Sequence, residues 1–355
     1  MSAARKGRRK DKGKARSKGR GKGRSCARLV ALSALGALLA VYAVFAVAAV
    51  SYVHHPRAWI AAREASWPRI LTAPLAWVGY GISDVTDGLG LTGYDVVYEY
   101  DREPPSGEVL FAGAPRRVGN VQPDDIVVLD RGEFVVGWSP SLRRPVWCAY
   151  HVASEASHPT GKRPNFTKDR EAANSPAPAD YGRSGYDRGH MVPNHAIESR
   201  YGAEAQRKTF LMSNIAPQSA ALNRGVWRNV ERRIADFWAA RYGEVWVVVG
   251  TVPGKSRETV SGTDIDVPER YFQVVVAQEG QDVRALALVY GQDVPWGEWA
   301  VRGIVTIDEL EELSGLDFLP ELDQFIQTPL ESGRPTRLWP VRFADVFRLF
   351  LLRFD

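Results

Sequence analysis

The chain has 355 residues, 45% of them hydrophobic, with eleven tryptophans; this supports one large folded domain or two ordinary ones and excludes a wholly disordered chain. Its net charge of +5 is unevenly placed: residues 1–28 hold 13 Lys or Arg and one acid, Asp11, leaving 33 bases against 40 acids in the remainder. Bulk charge is therefore no argument for nucleic-acid binding by the folded part, and any attraction for phosphate there must be local.

Residues 1–28, with Gly7, Gly13, Gly19, Gly21 and Gly23 among the bases, read as a disordered basic tail. Leu29 to Val53 carries no charge over 25 residues. As a helix it spans about 37 Å, against about 30 Å of bilayer hydrocarbon. The expectation is a single-pass membrane anchor over 29–53, its N-terminus cytoplasmic and the rest of the chain extracytoplasmic by the positive-inside rule. Two alternatives stand beside it: cleavage at Ala46-Val47-Ala48, giving a secreted form, and a mitochondrial presequence in the Arg-rich start. Cys26 and Cys148 flank the apolar run, so an internal disulfide is not expected. No Cys/His spacing suggests a zinc site.

Residues 54–109 read as a juxtamembrane connector. Their apolar patch from Ile70 to Ile82 is too short to span. The next stretch, 110–335, reads as one α+β domain, and 336–355 as a C-terminal segment. Within the domain, Phe134 to Trp138, Val146 to Tyr150, Thr209 to Ile215, Val245 to Gly250, Tyr271 to Ala277 and Ala285 to Tyr290 have the β-branched and aromatic content of strands. After Pro217 the spacing of Val226, Val230, Ile234 and Phe237 predicts a helix closed by Gly243. Ile307 to Leu313 is a short acidic helix, and Phe343 to Phe354 an apolar run expected to pack on the core.

Asp187-Arg188-Gly189-His190 lies upstream of Leu222-Asn223-Arg224-Gly225, with Glu231 eight residues beyond Asn223. Eight helical residues leave an offset of about 80°, so Asn223, Trp227 and Glu231 are expected on one polar flank. A histidine, an amide and a carboxylate together suit hydrolysis of a phosphodiester. That reaction needs a base for the nucleophile, positive charge for the pentacovalent phosphate and a proton for the departing 3′ oxygen. Neutral His190 suits the first role. A magnesium ion, with oxygen ligands and most of its waters retained, suits the others.

The series Tyr186-Asp187-Arg188-Gly189-His190-Met191, Phe210 to Gln218, and Leu222-Asn223-Arg224-Gly225-Val226-Trp227 with Glu231 resembles the DNA/RNA non-specific endonuclease family, the DRGH-motif members of the ββα-metal superfamily. The resemblance implies a central, mostly antiparallel sheet flanked by helices, here preceded by the membrane helix. It implies DNA and RNA as substrates, magnesium or alternatively manganese as cofactor, and a homodimer by analogy. It also implies His190 as general base, Asn223 as metal ligand, Glu231 as the group orienting water on the metal, and Arg188 against the phosphate. Asn214 would belong to the same catalytic site. Arg163 would contact substrate, with Lys162 as its alternative, and Asp187 would be a structural hydrogen-bond partner.

Three positions depart from that pattern. His195 stands where Ala or Gly is usual, Ala235 where relatives often place a phosphate-binding arginine, and Thr251 follows Gly250 in place of proline. Two rival readings are an inactive relative that tethers nucleic acid and a phosphodiesterase for a small nucleotide. A shallow basic groove favours a polymer, and a closed pocket a small ester.

Overall fold

The computed structural model describes residues 89–90, 93–99, 107–158, 161–342 and 345. The basic tail, the expected anchor 29–53, most of the connector and nearly all of the run from Phe343 lie outside the described residues. Among the described residues no helix is long and apolar enough to cross a membrane.

In chain order the first strands are β1 (Val96–Glu99), β2 (Arg116–Arg117), β3 (Val127–Asp130), β4 (Phe134–Ser139), β5 (Arg144–Ala153), β6 (Asp187–His190) and β7 (Ile215–Gln218). They are followed by β8 (Glu244–Val252), β9 (Glu258–Thr259), β10 (Asp266–Val267), β11 (Arg270–Glu279), β12 (Asp282–Gly291), β13 (Ile304–Val305) and β14 (Leu316–Asp317). The principal helices are α1 (Asn194–Thr209), α2 (222–242), α3 (Ile307–Ser314) and α4 (Gln324–Ser332).

The main sheet runs β1-β12-β11-β8-β5-β4-β3, with β13 beside β12, and its pairings are antiparallel. Antiparallel sheets often leave one face to water, but helices cover both faces here, which is why β8 reads as a nearly continuous apolar run. Successive residues of β11 point to opposite faces. Phe272, Val274 and Val276 join Ile307, Leu310, Ile326 and Leu330 in the core under α3 and α4. On the other face, Trp227 of α2 meets Tyr271 edge-on, ring centroids 5.7 Å apart. The predicted stripe of Val226, Val230, Ile234 and Phe237 is buried. Gly250 is required by packing: a Cβ there would lie 2.1 Å from the Phe272 ring.

α3 begins with a capping box in which Thr306 Oγ1 accepts from the Glu309 amide and Glu309 Oε2 accepts from the Thr306 amide, both at 3.0 Å. This satisfies two helix-end donors. Gly315 ends the helix in the left-handed region at φ 66°.

Several elements differ from the sequence expectation. The segment Thr209 to Ile215 is not one strand: Met212–Asn214 forms a 3₁₀ turn, and the ladder starts at Ile215. The expected connector contributes β1, which pairs with β12 from Val96↔Ala285 to Glu99↔Asp282. At the other end, buried Trp339 packs on Trp238 and Tyr242 at 5.4 Å each, so residues past 335 join the same core.

Candidate active site

Two short strands and a helix build the site. β6 pairs antiparallel with β7, from Asp187↔Gln218 to His190↔Ile215, and the chain then turns through Ser219 into α2. Gly189 must lack a side chain, since a Cβ would fall 2.1 Å from Gln218 Oε1. The ladder rests on an apolar cluster of Tyr181, Met212, Ile215, Val260, Ile265 and Val267.

α2 is not a uniform α-helix. A π turn at Leu222–Trp227 and another at Arg233–Trp238 enclose the α segment Arg228–Arg232. Such turns recur at functional sites because they change which side chains face outward. Asn223, Arg224, Arg228, Glu231, Arg232 and Asp236 all face one cleft of about 850 Å³. Opposite them, β6 and the segments beside it bring in Asp187, Arg188, His190, Arg163 and His195. The net-acidic body thus presents five arginines around one cleft.

His190 sits among aromatic rings: Phe210 lies edge-on at 4.8 Å and Phe166 at 5.4 Å between centroids. Its ring reaches the cleft while Nε2 is enclosed without a hydrogen-bond partner. Burial, with the neighbouring Arg163 guanidinium, lowers its pKa to about 3, so the imidazole is neutral at physiological pH. Arg188 stacks over Phe166, its guanidinium carbon 4.8 Å from the ring centroid, and Arg163 lies 5.5 Å from that of Phe210. The rings fix the two cations at the mouth of the cleft. Lys162 does not line it.

Asn223 Nδ2 donates to Asp187 Oδ2 at 2.9 Å. Arg224 grips the same carboxylate through Nε at 2.7 Å and Nη2 at 2.5 Å. These bonds, Arg224 foremost, hold the Asp187 carboxyl below the usual range. They also commit the Asn223 amide nitrogen to Asp187 and leave its carbonyl oxygen for another partner. Asp187 thus joins Asn223 and Arg224 through one carboxylate. Glu231 presents a buried Oε1 without a partner, and burial raises its pKa to about 8 despite Arg228 and Arg163 nearby. The Asn223 amide oxygen, left over from the bond to Asp187, and the partnerless Glu231 Oε1 are oxygen donors on one cleft, which fits a hard divalent cation that keeps most of its waters.

Two expectations are corrected. Asn214 does not line the cleft: its Oδ1 accepts from the Val192 amide at 2.9 Å, and its Nδ2 donates to the Val192 and Thr209 carbonyls at 3.0 Å each. With its amide committed to backbone, it braces the chain after His190 from behind. Trp227, expected on the polar flank, is instead fully buried against Tyr271 of the sheet, within a segment that is not regular α-helix.

The three departures also have places. His195 Nε2 donates to Asp236 Oδ1 at 2.7 Å on the cleft rim. Ala235 is buried, and its carbonyl accepts from Arg200 Nη2 at 2.5 Å. Thr251 Oγ1 accepts from the buried Arg144 Nη1 at 2.6 Å. Sequence reasoning missed Arg228, Arg232 and the aromatic seat of Phe166 and Phe210. Regular arginine spacing was visible for the first two, but the π turns that aim them were not.

A second acidic group, Asp308, Glu311 and Glu331, brings carboxylate oxygens within 4.8 Å of one another on α3 and α4. Burial raises Glu331 to about 8 and Glu311 to about 7, so protons relieve much of the repulsion there near neutral pH.

A strand pair and a helix thus bring a neutral histidine, an asparagine bonded to a carboxylate and a buried carboxyl to one arginine-lined cleft. The family model described as DNA/RNA non-specific endonuclease matches residues 112–325, and the chain belongs to that family. It is 29% identical over 211 residues to the mitochondrial nuclease EXOG of Xenopus laevis, covering 53% of this chain and 57% of that protein. It is 28% identical over 208 residues to human mitochondrial endonuclease G, covering 54% and 69%. A nuclease of Serratia marcescens is 29% identical over 198 residues, covering 52% and 72%. The chain thus spans little more than half the length of the Xenopus relative. A crystal structure of EndoG with its inhibitor EndoGI superposes with a TM-score of 0.52 at 22% identity, covering 58% of this chain and 90% of that one, which shows the shared fold with its central antiparallel sheet.

Proposed function

We propose that the protein is a metal-dependent endonuclease that hydrolyses phosphodiester bonds of DNA and RNA, with His190 as general base and a magnesium ion held by Asn223. The observation that carries this reading is the convergence of His190, Asn223 and Glu231 on one cleft lined by Arg163 and Arg188. When bound, the cation supplies positive charge against the pentacovalent phosphate and the departing 3′ oxygen.

The chain's own residues do the rest. Arg188 and Arg163, fixed over Phe166 and Phe210, draw the phosphate into the cleft and orient it. With Nε2 enclosed, Nδ1 is the nitrogen through which His190 takes a proton from the attacking water. Its neutrality leaves that lone pair available. Asp187 keeps the Asn223 oxygen aimed into the cleft, and Glu231 orients water beside it. Asn214 is a positioning residue for the segment after His190. The breadth of the basic cleft favours a polymer over a small ester, and an intact base and ligand set favours catalysis over simple tethering.

Purified protein should cut both plasmid DNA and RNA with magnesium and neither with excess chelator. Intact polymers under both conditions sink the proposal, and cleavage unaffected by chelator removes the metal from it. We further propose that 29–53 anchors the domain 110–335 outside the cytoplasm, on the length of that uncharged run and the basic tail before it. A reporter fused after Val53 should be active only on the extracytoplasmic side, and cytoplasmic signal reverses the topology.

A further inference from the structure

Along α2, arginines recur every fourth residue at Arg224, Arg228 and Arg232, and all three line the cleft that holds His190 and Asn223. In an unbroken α-helix each such step advances about 40° around the axis, so the third member would drift about 80° from the first. Here π turns lie on either side of the α segment Arg228–Arg232. The first of these is kinked at Gly225 (φ −101°, ψ −112°), so the helix departs from uniform α rotation and the row stays on the cleft. Asp236, the next residue at this spacing, still faces the cleft.

Asn223 and Glu231 occupy a parallel row one residue earlier. The helix therefore carries two tracks on one side: reacting groups on the inner row and guanidinium groups on the outer one. Within the α segment, the step from Arg228 to Arg232 rises about 6 Å. Carboxylates anchor its ends, since Asp187 holds Arg224 at 2.5 and 2.7 Å and Asp236 lies 3.6 Å from Arg232. The Asp236 carboxylate also meets His195, so the positive row stops there.

Position 235 cannot supply phosphate grip, because Ala235 is buried and its carbonyl accepts from Arg200. We propose that the outer row of Arg224, Arg228 and Arg232 takes over this task as a track for successive phosphates of one nucleic-acid strand, with Arg228 as its central contact. The proposal rests on the nuclease reading above. A single phosphate at the reacting centre is already met by Arg188 and the cation site, so a row extending along two helical steps serves phosphates on either side of the scissile one.

The test is binding of a labelled twelve-nucleotide single strand to the full-length protein in chelator, followed by fluorescence anisotropy from 50 to 200 mM salt. Removing one phosphate contact should make the slope of log K against log salt shallower by roughly 0.7. Arg228→Gln and Arg232→Gln should each do this and weaken binding about fivefold, on the order of one charge-assisted contact. Arg228→Lys should keep the wild-type slope. Arg241→Gln, an equal charge change outside the cleft, should leave it unaltered. A slope for Arg228→Gln equal to that of wild type or of Arg241→Gln overturns the track while leaving the nuclease reading intact. Loss of slope in Arg228→Lys equal to that in Arg228→Gln also overturns it, because the arginine then acts through packing rather than charge. Wild-type protein that neither binds the strand nor cuts it with magnesium defeats the nuclease reading itself, and the track with it.

Discussion

Replacing His190 with alanine should lower kcat on DNA by about 10²- to 10⁴-fold, the usual contribution of a positioned general base, and leave KM close to wild type. The split between the two constants follows from the site. A neutral imidazole seated between Phe166 and Phe210 adds little to phosphate attraction, which falls to the arginines around it. The sign of the pH dependence follows as well. Because burial and Arg163 lower the His190 pKa to about 3, the base is already deprotonated throughout pH 5–8. Activity should therefore show no acidic limb near the ordinary histidine pKa of about 6.5. A steady-state series across that range checks both points. A His190→Ala enzyme with wild-type kcat removes this residue from the chemistry, whereas a limb near 6.5 in wild type places the ring in a wetter setting.

The second large effect is on stability. Asp266→Ala should cost about 3–5 kcal/mol, because it leaves a buried charge without its counter-ion. The Arg144 side chain is completely buried. Its Nε and Nη2 donate to Asp266 Oδ2 at 2.9 and 2.5 Å, and Nη1 donates to Thr251 Oγ1 at 2.6 Å. This tie fastens β10 to β5 and β8 beside the cluster that supports β6 and β7. The double replacement Arg144→Met with Asp266→Ala should recover much of the loss, since a paired buried ion is often replaceable by apolar side chains. Urea denaturation of wild type, single and double variants measures it. A single-variant loss below about 1 kcal/mol contradicts a buried, mutually dependent pair.

The long strands were legible because both faces of the sheet are covered: Val245 to Gly250, Tyr271 to Ala277 and Ala285 to Tyr290 had to be apolar almost throughout. Short-range pattern also marked the buried stripe of α2. What it did not carry was the helix's internal irregularity. Trp227 lies on the sheet and Arg232 in the cleft, the reverse of what uniform rotation suggests. α1 was hidden for a different reason: it is polar overall and contains Gly202 at φ 84°, so no apolar stripe announces it. β1 was unreadable because its partner β12 lies nearly two hundred residues later, and a strand of four residues has little local signal.

Within the candidate site, the resemblance singled out His190, Asn223, Glu231, Arg188 and Arg163, which the fold brings to one cleft. Asn214 shares their motif without sharing their surface. A side chain that satisfies a buried loop and one that meets substrate can look alike in sequence. Only the destination of the hydrogen bonds separates them, and those of Asn214 end on Val192 and Thr209. Basicity shows the same limit. The charge count pointed to the first 28 residues, while the arginines that matter at the cleft are a local minority in an acidic body.

The central claim, a divalent cation held at Asn223 beside His190, is tested most directly by titrating manganese into the full-length protein and counting bound ions by electron paramagnetic resonance. Wild type should show a site that is lost in Asn223→Ala and retained in His190→Ala, both variants keeping the wild-type melting transition. An Asn223→Ala protein that is folded and binds manganese with wild-type stoichiometry and affinity would contradict the account.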